Sequence, residues 1–135
     1  MTPCELLVCA EDAIKNSYSP YSGFSVGAAL ITAGGRVYKG CNIENSAFSP
    51  TVCAERTAFF KAISEGENDF EAIAIVGKYK NGEYKRFCYP CGVCRQVMEE
   101  FCKGDFKIIL GDGNGEYEVY TLSELLPGGF DLRKE

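Results

Sequence analysis

The sequence predicts an α/β fold, a three-layer α-β-α sandwich around a mixed, mostly parallel five-stranded sheet. Two observations carry this. Strand-like segments alternate with helical ones along the chain, and alternation of that kind implies a layered sheet with helices on both faces. Ala72-Ile73-Ala74-Ile75-Val76 and Phe106-Lys107-Ile108-Ile109-Leu110 are short apolar runs, the mark of strands buried on both faces. A third observation sets the scale: 135 residues without an internal repeat, low-complexity tract or Pro/Ser-rich linker fit one domain, residues 1–135, large enough for a core without disulfide staples.

In order, Thr2-Pro3-x-Glu5 reads as a helix start, with Thr2 as N-cap, Pro3 at the first helical position and Glu5 closing a capping box. Leu6, Leu7, Ala10, Ala13 and Ile14 continue it as an apolar stripe at helical spacing. Asn16 to Gly23 is a loop. Phe24 to Leu30 and Arg36 to Tyr38 flank Ala33-Gly34-Gly35 as a β-hairpin, the second strand running on toward Cys41-Asn42-Ile43-Glu44. A helix spans about 53–65 and ends at Gly66. The third strand covers 72–76 and is followed by a polar hairpin-like stretch from Lys78 to Arg86. Val93, Val97 and Phe101 recur every four residues and predict a helix over about 91–102. Strands at 106–110 and 117–121 and a helical turn at 123–126 complete the chain.

Composition bounds the function. The chain is 46% hydrophobic and 24% charged, with a net charge of −5, so it lacks the basic stripe expected of a nucleic-acid binder. No run of about 18 apolar residues is present, so no membrane span is expected. The first residues show no basic stretch leading into an apolar one, so no secretory signal is expected. Eight cysteines are then better read as reduced thiols and metal ligands in the cytoplasm than as a secreted disulfide framework. Cys4, Cys9, Cys41 and Cys102 read as small buried apolar residues.

The chemistry concentrates in Cys53-Ala54-Glu55 and Pro90-Cys91-Gly92-Val93-Cys94. Three thiolates are one short of a closed tetrahedral zinc site, and zinc held by three protein ligands keeps a position for water. Cys-x-Glu followed by Pro-Cys-x-x-Cys is the zinc-deaminase pattern with cysteine in the place more often taken by histidine, and this chain has no histidine. Glu55, a carboxylate two residues after the first thiolate and not itself a ligand, can then carry protons. Both segments are expected at helix N-termini, whose positive dipole ends offset the charge of three thiolates. Arg56 and Arg95, just after the ligands, are expected to donate hydrogen bonds to the sulfurs. Other readings stay open on spacing alone. Cys88-x-x-Cys91-x-x-Cys94 could bind an iron–sulfur cluster, Cys88 could close the zinc site as a fourth, structural ligand, Cys91 and Cys94 could be a redox dithiol, and Glu55 a solvated helix acid.

Across nearly its whole length the chain resembles the small, homotetrameric, all-cysteine zinc class of cytidine deaminases. The resemblance is carried by Pro20-Tyr21-Ser22-x-Phe24-x-Val26-Gly27-Ala28-Ala29-Leu30, Gly40-Cys41-Asn42-Ile43-Glu44-Asn45, Cys53-Ala54-Glu55-Arg56-Thr57-Ala58, Pro90-Cys91-Gly92-x-Cys94-Arg95-Gln96 and Leu125-Leu126-Pro127-x-x-Phe130. It implies one Zn²⁺ per chain on Cys53, Cys91 and Cys94, with Glu55 as the catalytic acid–base. It implies that Phe24 packs on the pyrimidine, Asn42 and Glu44 bind the ribose, the backbone at Ala54 holds the base, and Phe130 reaches a neighbouring subunit's site in a homotetramer. The substrate would be a free nucleoside, cytidine or deoxycytidine, in pyrimidine salvage, with no nucleic-acid polymer and no membrane as partner. On pattern alone Phe24 also suits strand core, Asn42 a turn and Phe130 a tail anchor. Phe48 and Tyr89 depart from the family pattern, the one after Asn-x-Ala and the other before Pro-Cys. A deaminase of a modified cytosine nucleoside such as blasticidin S, and a non-catalytic structural zinc module, are the rival functions.

Overall fold

The computed structural model of the chain describes residues 1–134. Helix α1 (Pro3–Ala13) starts at the anticipated cap. Thr2 Oγ1 accepts from Glu5 N at 3.2 Å, and Glu5 Oε1 accepts from Thr2 N at 3.1 Å, which satisfies two amide donors that a helix start leaves without partners. Strands β1 (Phe24–Thr32) and β2 (Val37–Cys41) form the hairpin. Gly35 turns it at φ 91°, a left-handed conformation open to glycine because no Cβ opposes it. Helix α2 (Ala54–Ser64), strand β3 (Phe70–Tyr79), helix α3 (Gly92–Phe101), strands β4 (Lys107–Gly111) and β5 (Tyr117–Thr121) and the short helix α4 (Leu122–Leu125) follow.

The sheet has five strands in the order β2-β1-β3-β4-β5. It is mixed, as anticipated, but not mostly parallel. β1 pairs antiparallel with both β2 and β3, β4 pairs antiparallel with β5, and only β3 and β4 are parallel neighbours. The cause is the hairpin return. β2, β3 and β4 run in one direction and are linked through α2 and α3, but β1 lies between β2 and β3 and turns one potential parallel contact into two antiparallel ones. β3 is also longer than its apolar run, because Val26, Ser25 and Phe24 of β1 pair with Gly77, Lys78 and Tyr79.

Alternation along the strands divides the core into two layers. On one face Ala29, Ile31, Ala72, Ala74, Val76 and Ile109 pack against Leu6, Leu7 and Ala10 of α1. On the other, Leu30, Ile73, Ile75, Ile108 and Leu110 pack against Ala58 and Phe59 of α2, Met98 of α3 and Leu122 of α4. Neither Cys4 nor Cys9 is the buried residue anticipated: on α1, Cys4 is exposed and Cys9 half-buried, while Cys41 and Cys102 are buried.

Gly40 fixes where α2 begins. A Cβ there would lie 2.4 Å from Ala54 O and 2.5 Å from Ala58 N, so the first turn of α2 rests directly on the backbone of β2. These neighbours are helix backbone and cannot rotate away. Gly40→Ala is expected to lower stability by about 1–3 kcal/mol, the usual cost of overpacking, read as a lower urea midpoint; an unchanged midpoint would show that α2 is free to step off the sheet.

Candidate active site

Because β2 and β3 point the same way, the helices that follow them start at the same end of the sheet, the end where α/β folds gather their ligands. Cys53 is the N-cap of α2 and Cys91 the N-cap of α3, and Cys94 lies in the first turn of α3. Cys53 Sγ stands 3.8 Å from Cys91 Sγ, and Cys91 Sγ 3.5 Å from Cys94 Sγ. All three sulfurs fall within 4.8 Å of one another, the one cluster of this kind among the described residues. Two thiolates on a tetrahedral zinc at Zn–S distances near 2.3 Å would be about 3.8 Å apart. The donor set therefore fits zinc with little rearrangement.

Cys88 stands outside this cluster. It is buried, and burial pushes its thiol up to about 12, so it stays protonated, unlike a metal-bound thiolate. Cys53 behaves in the opposite way. A hydrogen bond from Cys94, reinforced by one from Arg56, holds it below the usual thiol range, while the same bond to Cys53 pushes Cys94 up. The cluster thus stabilises a first negative charge on Cys53. Arg56 does what the sequence led us to expect, its Nη2 donating to Cys53 Sγ at 3.4 Å. Arg95 does not. Its Nε donates to Pro90 O at 2.7 Å and its Nη1 to Leu125 O at 2.6 Å, so it braces the chain ahead of Cys91 against the end of α4 instead of touching a sulfur.

Glu55, in the first turn of α2, is buried, with only 4% of its surface exposed. Burial pushes its carboxyl up to about 7. That is no solvated helix acid; a carboxyl whose pKa sits near neutrality is suited to exchanging protons in either direction. Phe24, Asn42, Glu44, Ala54 and Glu55 line one cavity of about 250 Å³ together with Cys53 and Cys91.

The polar groups of this cavity are held by the loop after α1. Glu44 accepts from Tyr21 N at 2.9 Å, Ser22 N at 3.1 Å and Ser22 Oγ at 2.5 Å, and the Ser22 hydroxyl keeps its carboxyl below the usual range. Asn42 is first of all a strut. Its Oδ1 accepts from Val26 N at 2.9 Å and Ser17 Oγ at 2.5 Å, and its Nδ2 donates to Phe24 O at 2.9 Å, which leaves the second amide hydrogen for a ligand. The Phe24 ring lies over Gly77, where a Cβ would come within 2.4 Å of its tip, and packs beside Tyr79 at 5.0 Å. Phe130 is 59% exposed and does not line the cavity; the structure fixes its backbone, through Gln96 Nε2 donating to Phe130 O at 3.1 Å. Phe48 is exposed, takes φ 61° and meets Tyr21 edge-on at 6.0 Å. The sequence reading assigned no role to Ser17 or Ser22, although Ser22 lies inside the motif Pro20-Tyr21-Ser22-x-Phe24; its partner Glu44 is twenty-two residues away in the chain.

Comparison with known proteins agrees with this geometry. A family model described as the cytidine and deoxycytidylate deaminase zinc-binding region matches residues 2–110. The chain is 48% identical to a cytidine deaminase of Sporosarcina psychrophila, over 93% of this chain and 89% of that one. It is 51% identical to a cytidine deaminase of Halalkalibacterium halodurans, over 90% and 88%. A blasticidin-S deaminase of Bacillus cereus is more distant, at 32%. Among solved structures, a cytidine deaminase from Burkholderia pseudomallei superimposes with a TM-score of 0.88 at 42% identity, covering 96% of this chain and all of that one.

The sulfur geometry yields a direct expectation. Cys91→Ala should purify without metal, whereas Cys88→Ser should keep the metal content of the unaltered protein, as read by elemental analysis. Loss of metal from the Cys88 variant would mean that the fourth position is filled by that thiol and that the site is a closed, structural one.

Proposed function

The chain belongs to the cytidine and deoxycytidylate deaminase family, and on that premise we propose that it is a zinc-dependent hydrolase converting cytidine and deoxycytidine to uridine and deoxyuridine with release of ammonia. The observation that carries the proposal is a buried carboxylate, Glu55, in the same cavity as a three-sulfur cluster that has no fourth protein ligand among the described residues. A structural zinc module has no use for either feature. The lower similarity to the blasticidin-S enzyme and the intact Asn42-Ile43-Glu44-Asn45 segment favour the ordinary nucleoside.

Cys53, Cys91 and Cys94 would hold one zinc per chain. Bound there, the metal supplies a Lewis acid that makes water nucleophilic near neutral pH. Glu55 accepts the proton that water gives up and passes it to ring N3, which opens C4 to attack. The same carboxyl then takes the remaining proton from the hydroxyl added at C4 and delivers it to the amino nitrogen as the C4–N bond breaks and the C4 carbonyl forms, so water and cytidine become uridine and ammonia with no net proton gained or lost. Arg56 and the two helix starts draw off part of the charge of three thiolates, which would otherwise weaken the metal. Phe24 offers a ring face to the pyrimidine, the backbone at Ala54 a polar contact to the base, and Glu44 with the remaining Asn42 hydrogen a grip on the sugar hydroxyls. Pre-formed hydrogen bonds keep Glu44 ionised and oriented, so little has to be ordered when substrate enters.

The proposal extends to assembly and setting: one catalytic domain over residues 1–135, acting in the cytoplasm in pyrimidine salvage, in a homotetramer whose Phe130 closes a neighbour's cavity. The exposed Phe130 ring, away from its own cavity, supports this.

Two measurements test the proposal. The purified protein should release ammonia from cytidine, and Glu55→Gln should keep fold and zinc while turnover drops by roughly 10²–10⁴-fold, the range for a lost general acid–base; near-normal turnover would make Glu55 a bystander. Light scattering should give a tetramer, and Phe130→Ala should raise KM for cytidine by roughly 2- to 12-fold, matching about 0.5–1.5 kcal/mol for a lost aromatic stack, with zinc retained. A fully active monomer would sink the shared cavity.

A further inference from the structure

The chain from Cys88 to Cys91 forms one wall of the cavity, and each of its residues is tied down by a different element. Cys88 is buried in the core and lines the cavity. Tyr89, also at the cavity, packs against Tyr120 of β5 with ring centroids 5.5 Å apart and the two hydroxyls at 2.8 Å. Tyr120 in turn reaches Glu118 Oε1 at 2.8 Å. Pro90 O accepts from Arg95 Nε at 2.7 Å, and Cys91 is part of the sulfur cluster. Four consecutive residues held from the core, from β5 and from α3 make a stiff wall.

The reacting carbon has to lie within reach of Glu55 and the sulfurs, beside Cys91. In a cytosine nucleoside C4 stands across the ring from N1, which bears the sugar. A substituent on the 4-amino nitrogen therefore points away from the sugar and toward the wall at 88–91. Tyr89 is half-exposed there, and the Tyr120 hydroxyl keeps its ring from swinging out.

We infer that Tyr89, braced by Tyr120, is a specificity-determining residue that limits the size of the leaving amine, admitting a primary amino group and turning away N4-alkylated cytidines. This rests on the cytidine deaminase activity proposed above. The discrimination is steric, and a confined pocket separates ligands differing by one carbon by roughly 10–200-fold.

The test compares kcat/KM for cytidine and N4-methylcytidine in the unaltered enzyme, Tyr89→Ser and Tyr120→Phe. The ratio of N4-methylcytidine to cytidine should rise by about 10-fold or more in Tyr89→Ser, and by less in Tyr120→Phe, which keeps the ring contact and loses only the brace. General damage to the fold lowers both substrates together and leaves the ratio where it was. Calorimetry supplies a readout without turnover: adding Tyr89→Ser to Glu55→Gln should tighten N4-methylcytidine relative to cytidine. An unchanged ratio in both variants overturns the inference, and if Tyr89→Ser does not fold, the Tyr120→Phe ratio decides it. An unaltered protein that releases no ammonia from cytidine overturns the underlying activity instead.

Discussion

Two helices have to begin at one edge of the sheet with their first residues close enough for sulfur to touch sulfur, and most of the architecture follows from meeting that condition. β2 and β3 must run in the same direction so that α2 and α3 start together. They also have to stand apart, with β1 between them, so that two helices fit side by side on one face. The first turn of α2 has to lie hard against β2, which Gly40 permits by having no Cβ to oppose Ala54 O and Ala58 N. Cys53, Ala54 and Glu55 are thereby delivered to the end of the sheet by backbone packing, before any side chain makes a specific contact.

Electrostatics sets a second condition. Thiols and carboxyls lie close together around one cavity in a chain of net charge −5, and their protonation behaviour differs. The separation comes from surroundings more than from residue type. Hydrogen bonds from Cys94 and Arg56 pull Cys53 down, burial pushes the chemically identical Cys88 up to about 12, and burial brings Glu55 to about 7. Glu44, with three donors arranged around it, stays ionised at the same cavity. Two carboxyls in one cavity differ in this way because one is buried away from water and the other is surrounded by N–H and O–H donors.

What could be read from the sequence was whatever local chemistry decides. The capping box at Thr2 and Glu5, the Ala33-Gly34-Gly35 turn, the helical repeat of Val93, Val97 and Phe101 and the Cys91-x-x-Cys94 spacing need only neighbours in the chain, and all of them appear where they were expected. Strand order did not follow. Alternation of strands and helices predicts which strands run the same way, but that β1 rather than β2 lies beside β3 is a choice made across some forty residues. Arg95 was misread for a similar reason. Its spacing suits a sulfur, yet the carbonyls of Pro90 and Leu125 claim it only once α4 has folded back beside α3. The strut role of Asn42 depends equally on the β1 backbone arriving alongside it, and the Tyr89–Tyr120 pair joins residues thirty-one apart.

Both helices that carry the sulfur cluster start on a cysteine whose side chain makes no capping hydrogen bond. Serine or aspartate there would bind the free amides of the first turn and secure the helix end at a gain of about 1 kcal/mol. This chain leaves those amides facing the sulfur cluster. With the proposed zinc bound, the cluster would serve as the terminus of two secondary-structure elements at once, and stripping it with a chelator would be a structural event. Like charges would face two unsecured helix ends, and the first turns of α2 and α3 would be the segments to fray, carrying Glu55 out of its buried setting together with the ligands.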